Sequence, residues 1–267
     1  MAQQVKQVVK QIPGAVDAYT QVTKRIRNPE WYFGYKRWES ARRMRMLKDK
    51  HRGQRCFIIG NGPSLNQMDL TKLKGQNTIG MNRIYLLFSK VGFETTYYAC
   101  VNPLVVEQFG EDIEKLPMTK FIGWHGREWM KYTSSTILLA PTTRYPLFSE
   151  EPTHVLWEGA TVTYAAMQVA YYLGFEEVIL IGVDHNFVDK DKGKPHQEIV
   201  TEVHDANHFD PNYFGKGYRW NLPDLETSEI AYKMAKQYYE DHGRRILDAT
   251  VGGKLTVFPK VDYNSLF

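Results

Sequence analysis

Cysteine is scarce in this chain of 267 residues: Cys56 and Cys100 are the only two, too few for a disulfide framework. Both lie in apolar runs that read as strands, as expected of buried thiols in a reducing compartment. Long apolar runs are missing as well, so nothing approaches the length of a membrane span. Residues 1–12 lack the apolar core of a signal peptide, and a cytoplasmic site is the expectation. Several ligand signatures are absent too. Gly-Asn-Gly-Pro-Ser-Leu at 60–65 lacks the Gly-Lys-Ser/Thr ending of a P-loop, and Leu65 stands where a dinucleotide fingerprint has its last glycine. His204 and His208 are four residues apart, but His-Asp-Ala-Asn-His is not the zincin pattern. Asp205, Asn207 and Pro211 read instead as turn chemistry, against a zinc site. No recognised nucleic-acid motif occurs.

What is present describes a soluble globular protein, 43% hydrophobic and 24% charged, long enough for one α/β domain with an appendage. The net charge of +4 is unevenly spread: residues 24–55 hold 12 Lys/Arg against Glu30, Glu39 and Asp49, which leaves the remainder net negative. The same segment carries Trp31, Tyr32, Phe33, Tyr35 and Trp38 among Arg37, Arg42, Arg43 and Arg45. Three readings stand: a surface for anionic lipid headgroups, a surface for nucleic acid, or a solvated helix whose aromatics pack on the domain. Ahead of it, Val5, Val9 and Ile12 predict a short amphipathic helix broken at Pro13-Gly14.

The centre of the chain is residues 55–82. Cys56 to Ile59 predict a strand, Gly60-Asn61-Gly62-Pro63 a tight loop, and Leu65, Met68 and Leu73 a helix whose free N–H groups suit a phosphate, with Ser64 bonding locally. An ordinary strand-to-helix turn without a ligand is the plainer alternative. Further strands are expected at 77–81, 95–101, 120–123, 136–139, 177–182 and 245–247, and helices at 103–116, 162–173 and 224–241. In the last helix Leu225, Ile230, Met234 and Tyr238 mark the expected apolar side. Three strand ends deliver Asn61, Asn82 and Asn102, which would line one crevice beyond the carboxyl ends of a parallel sheet, unless they are turn residues only. Gly159-Ala160-Thr161 opens a second helix able to offer N–H groups to an anion.

The fold class predicted is therefore α/β: a Rossmann-like, mostly parallel sheet flanked by helices, with a basic helical extension (1–53), a core (54–183 and 224–250), a lid (184–223) and a tail (251–267) read as an irregular hairpin. The lid is long, polar and aromatic, the profile of a functional loop, and holds His185, His196, His208, Tyr213 and Tyr218.

In order, Ile-Ile-Gly-Asn-Gly-Pro-Ser-Leu (58–65), Met-Asn-Arg (81–83), Val-Asn-Pro (101–103), Gly-Ala-Thr (159–161), Ile-Gly-Val-Asp (181–184) and Asn-His-Phe (207–209) resemble the bacterial sialyltransferases of glycosyltransferase family 42. They are also similar to the broad group named after the archaeal 6-hydroxymethylpterin diphosphokinase, which includes flagellar motility accessory factors. The resemblance spans about residues 54–250. It implies a CMP-linked donor, with Asn61 and Gly62 at the nucleotide phosphate and Asn82 and Asn102 at the donor sugar or ribose. Gly159, Ala160 and Thr161 would lie near the leaving group, where the family's serine is replaced by Ala160-Thr161. Asp184 would border the nucleotide, His208 matches the general base, and Tyr213 and Tyr218 are candidates to steady the leaving phosphate. Bottom-up, a histidine can take the proton of an attacking hydroxyl, and helix-start N–H groups can stabilise a departing phosphate without a metal. Asp205 is expected to act with His208 in the chemistry, or alternatively to pair with it in a purely structural turn.

The leading expectation is transfer of an acidic sugar, of the sialic acid, nonulosonate or Kdo type, from a CMP donor to a glycan or glycolipid hydroxyl. No cofactor is required, no nucleic acid is bound, and a homo-oligomer or an attachment to the inner membrane face through residues 24–55 is open. The alternatives are a Mg²⁺-dependent diphosphate transfer from ATP to a pterin alcohol, with Asp184 and Asp205 as metal ligands, and an inactive nucleotide-sugar-binding module.

Overall fold

A computed structural model describes residues 30, 34–142, 146–187, 193–201 and 205–267. The expected helix over residues 5–12, the aromatics at 31–33 and His204 lie outside them. Helix α1 (Tyr35–Arg45) is followed by strands β1 (Arg55–Ile59), β2 (Thr78–Met81) and β3 (Tyr97–Cys100), helix α2 (Pro103–Lys115), and strands β4 (Thr119–Gly123) and β5 (Thr136–Leu139). The short strands β6 (Pro141–Thr142) and β7 (Leu156–Trp157) lead to α3 (Val162–Tyr172) and β8 (Glu177–Ile181). After β9 (Glu198–Val200) and β10 (Arg219–Asn221) come α4 (Leu225–Asp241) and β11 (Arg245–Asp248).

Seven strands form one sheet in the order β11-β8-β1-β2-β3-β4-β5, and every pairing in it is parallel. This is the expected Rossmann-like architecture. The chain steps outward from β1 to β5 on one side and returns to place β8 and β11 on the other, so the strand order reverses between β1 and β8. Loops leaving those two strands diverge and open a crevice, the place where such sheets bind ligands.

Parallel strands covered on both faces must be apolar throughout, and β1 obeys: Cys56 and Ile58 join one core cluster, Phe57 and Ile59 the other. Each buried isoleucine or phenylalanine there contributes about 1.5–3 kcal/mol. On the first face α3 buries nearly every residue. Its Ala165, Ala166 and Ala170 allow close approach to the sheet. On the second face lie α2 and the aromatics Phe209, Tyr213, Phe214 and Trp220 of the segment after β8. That segment was read as aperiodic, yet it contains an antiparallel β9–β10 pair.

Both sheet edges are covered. Leu138 N of β5 donates to Ser40 Oγ of α1 at 2.9 Å, and Arg43 donates to the Thr133 and Thr136 carbonyls. At the far edge the tail returns alongside β11, with a parallel bridge between Asp248 and Lys260, a 2.6 Å ion pair between their side chains, and a turn of 3₁₀ helix at Tyr263–Leu266. The tail is thus not a hairpin: it runs parallel to the strand it covers.

Two local expectations change. The helix expected after Gly62 is instead two 3₁₀ turns, Pro63–Gln67 and Leu70–Leu73, separated by an extended Met68. Asp69 starts the second turn by accepting from Thr71 N, so the chain restarts where an α-helix would have continued. On α4 the buried face is Ser228, Ala231, Tyr232, Ala235 and Tyr239, whereas Ile230 is 48% exposed. Small side chains and two tyrosines share that face, a mixture that a hydrophobicity stripe does not register. Among the described residues no helix is long and apolar enough to cross a membrane.

Candidate functional site

The chain is tightly packed where β1 and β8 part. A Cβ at Gly60 would sit 2.2 Å from the Gly182 carbonyl oxygen, and one at Gly62 would sit 1.8 Å from Asp184 Oδ2. The glycines are therefore required by the chain's own close approach. Ser64 donates to Asp184 through its N–H (3.1 Å) and its hydroxyl (2.7 Å). Ser64, expected at a bound nucleotide, is thus buried, held by an internal carboxylate and absent from the cleft lining. Burial raises the Asp184 carboxyl above its ordinary range, with the Ser64 hydrogen bonds opposing that.

A cleft opens beyond these strand ends. Asn61, Gly62, Asn82, Asn102, Ala160, Thr161, Asp184 and His208 all line it, so the three amides and the imidazole converge as the sequence suggested. Asn102 is partly committed: its side chain accepts from Leu104 N at 2.9 Å and caps α2, with Pro103 in the first turn. In contrast, Asn61 Oδ1 and Asn82 Oδ1 are buried and have no hydrogen-bond partner. A buried acceptor left unmatched costs about 1–3 kcal/mol, which a hydroxyl or amino group of a bound molecule would recover. Asn82, Ala160 and His185, at φ +50°, +58° and +53°, all line the cleft in left-handed backbone conformations. Strain of that kind persists where surrounding structure enforces it, commonly at binding sites.

His208 is fixed with unusual completeness. Its ring stacks on Tyr213 (centroids 3.9 Å apart, planes at 4°), and its Nδ1 lies 2.7 Å from Asp205 Oδ2. Asp205 also accepts from Asn207 N and Phe214 N. A carboxylate can only accept, so Nδ1 carries the proton and Nε2 is left as the ring's acceptor. The segment bearing His208 is latched to the sheet. Phe209 N donates to Asn61 O (2.9 Å), Asn66 Nδ2 to Phe209 O (2.8 Å), and Arg83 N to the Tyr213 hydroxyl (3.1 Å). The Arg83 guanidinium donates to the Asn212 and Tyr213 carbonyls and lies 3.8 Å over the Phe109 ring.

Three more of the residues expected at a bound donor do not line the cleft. Tyr213 is fully buried behind His208, its hydroxyl accepting from Arg83. Tyr218 packs on Phe109 away from the cleft. Gly159 is buried, and a Cβ there would meet the Ala231 methyl at 2.4 Å, so it serves the packing of α4. Asp205 backs His208 and does not line the cleft. As metal ligands, Asp184 and Asp205 are both committed to internal donors and do not fit a shared Mg²⁺. Among the described residues no group of three or more His, Cys, Asp or Glu side chains converges on a metal position.

Two groups carry no assigned role in the sequence: His185 appears there only as a member of the lid, and Glu158 only as the residue before the Gly-Ala-Thr helix start. His185 lines the cleft and pairs with Glu229 of α4 through Nε2 at 3.1 Å; nothing local links residues 44 positions apart. Glu158, just before the α3 start, has a buried, unpartnered Oε1, and burial pushes its carboxyl up to about 7.

An open parallel α/β sheet with a polar cleft at its switch point defines a Rossmann-like protein. The chain belongs to the 6-hydroxymethylpterin diphosphokinase MptE-like family, whose family model matches residues 34–190. That match takes in α1 and every strand of the seven-stranded sheet except β11. The solved structure of MAf glycosyltransferase from Magnetospirillum magneticum AMB-1 is similar over 93% of this chain and 42% of that one, at 16% identity and a TM-score of 0.47. Among curated proteins none matches the chain.

Proposed function

We propose that this protein is a glycosyltransferase that moves an acidic sugar of the sialic acid, nonulosonate or Kdo type from a CMP-activated donor to a hydroxyl of a glycan or glycolipid. The observation that carries the reading is the convergence of Asn61, Asn82 and the Asp205-held His208 on one cleft. His208 Nε2 takes the acceptor proton, and Asp205 stabilises the imidazolium that forms. The unmatched amide oxygens of Asn61 and Asn82 suit ribose or sugar hydroxyls or the cytosine amino group. The departing phosphate lies at the start of α3, where Ala160, Thr161, Val162 and Thr163 line the cleft. There Thr161 Oγ1 already accepts from Thr163 N, so Val162 N is the first-turn donor open to an anion.

The family's name points to diphosphate transfer, but the two acids that reaction would use for Mg²⁺ are held by Ser64 and by the His208 turn. Thermal-shift measurements with CMP, CDP, ATP and a pterin, each with and without Mg²⁺, separate the readings. The expected result is a shift of several degrees with CMP that needs no magnesium. A shift confined to ATP with Mg²⁺, or to the pterin, would reject the transferase.

Helix α1 supports attachment to an anionic membrane on its cytoplasmic side. Its inner face buries Glu39 and Ser40 beside Met44, while Tyr35 (68%), Trp38 (59%) and, just beyond the helix, Met46 (67%) are exposed beside Arg42 and Arg45. Tyr35 and Trp38, the described aromatics of this segment, therefore do not pack on the domain. Aromatic rings with arginines suit a headgroup layer. Co-sedimentation with anionic vesicles at low salt is expected, with loss at high salt and weakening of about tenfold or more for the Trp38→Ala, Tyr35→Ala double variant. Equal recovery with zwitterionic vesicles, or none with either, would refute the attachment.

A further inference from the structure

The cleft contains a second histidine held by a carboxylate, and it enters from the other side of the sheet. His208 arrives with Phe209, Tyr213 and Phe214, which belong to the core on the α2 face. His185 instead pairs with Glu229 of α4, the helix whose Ala231, Tyr232 and Ala235 join the core on the α3 face. The His185 ring lies 6.1 Å from that of Tyr232, and the Tyr232 hydroxyl is 3.3 Å from Thr161 Oγ1 at the α3 start. His185 is thus on the side of the cleft where the proposed reading puts the phosphate. It is nearly buried, with 8% of its side chain exposed, and holds a left-handed backbone at φ +53°. Such a conformation costs about 1–2 kcal/mol in a residue other than glycine.

We propose that His185, oriented by Glu229, is the catalytic acid that meets the departing phosphate. This rests on the transferase reading above. Glu229 accepts from Nε2–H, so a proton on Nδ1 makes the ring a cation with its second donor available to a phosphate oxygen. Among the described residues lining the cleft there is no lysine or arginine, so this imidazolium would be a local counter-charge for the leaving group. The two histidines then divide one displacement. The acceptor oxygen forms its bond to the anomeric carbon as its proton passes to His208 Nε2. The bond from that carbon to the phosphate oxygen breaks, its electron pair stays on the oxygen, and the Nδ1 proton of His185 passes to the phosphate. Solvent returns the proton from His208 to His185 between turnovers. Base and acid on opposite faces are what a single in-line displacement needs.

Titration calorimetry of the full chain with CMP and with cytidine tests the assignment, because only CMP carries the phosphate. His185→Gln is expected to weaken CMP about tenfold or more while leaving cytidine within about twofold, with Glu229→Gln shifting CMP in the same direction by less. If His185→Gln binds both ligands as the wild type does, the assignment is overturned and the transferase reading stands. Loss of both ligands alike would make His185 a structural residue and overturns it too. If the wild type itself binds CMP no more tightly than cytidine, no phosphate site exists there, and the CMP-donor reading falls together with this one.

Discussion

Replacing His208 with glutamine is expected to lower turnover of a CMP-sialic acid or CMP-Kdo donor by about 10²- to 10⁴-fold, the usual contribution of a positioned general base. The affinity for CMP should change by less than about threefold. The separation follows from geometry: Asp205 and Tyr213 fix the ring from behind, so its one remaining function is at the cleft-facing nitrogen. Glutamine keeps a polar group of similar reach but cannot take a proton at neutral pH. Asp205→Asn should fall in the same direction by a smaller factor, because its amide can still accept from Nδ1–H while giving less support to the imidazolium. Steady-state kinetics alongside calorimetry with CMP checks both statements. An unchanged kcat in His208→Gln would remove this residue from the chemistry, and a lost CMP affinity would make it a binding group instead.

The second large effect concerns stability. Gly60→Ala is expected to destabilise the fold by about 3 kcal/mol, the upper part of the range for overpacking a tight site. Its methyl would meet the Gly182 carbonyl at 2.2 Å and Val183 Cγ2 at 3.1 Å. The first of these is backbone, so no rotamer change relieves it, and the ends of β1 and β8 must separate. Against a typical total of about 5–15 kcal/mol this is a substantial loss. Gly215→Ala is the matched control, since its methyl would find only ordinary contacts from 3.8 Å outward, and a change within about 0.5 kcal/mol is expected. Urea unfolding of the three proteins decides the matter: near-coincident midpoints for Gly60→Ala and the wild type would show that the crossing of the two strand ends is looser than described. The cleft should suffer with the fold, because Asn61 stands between the two glycines.

How much of this was legible beforehand depended on the range of the interaction. The parallel sheet was readable because each central strand, such as Cys56–Ile59 or Val178–Ile181, is apolar on both faces, a signal contained in a few adjacent residues. The capped helices were readable for the same reason, with Asn102, Thr161 and Asp224 each accepting from a backbone N–H two or three residues on. The Asp205–His208 pair also lies within one turn, and both its possible meanings were visible. The Gly60–Asn61–Gly62 loop stands out in the sequence, but its close approach to Gly182 and Asp184, more than a hundred residues away, does not. That distance also hid the 3₁₀ turns, whose Ser64 is tied to Asp184, and the true buried face of α4, set by α3 and the sheet.

The sequence by itself therefore determined the order of the seven sheet strands and of helices α2, α3 and α4, the polar residues at the strand ends and the imidazole beside its carboxylate, since periodicity, capping and turn chemistry act between near neighbours. Only the tertiary structure decided which of those groups share a cleft. The strand order reverses between β1 and β8, bringing Asn61 beside Asp184 and turning Ser64 inward. Packing of α4 beside the β8 end sets Glu229 on His185, and the latch through Arg83 buries Tyr213. These are contacts between distant segments, and they exist only once the sheet has closed its neighbours around one crevice.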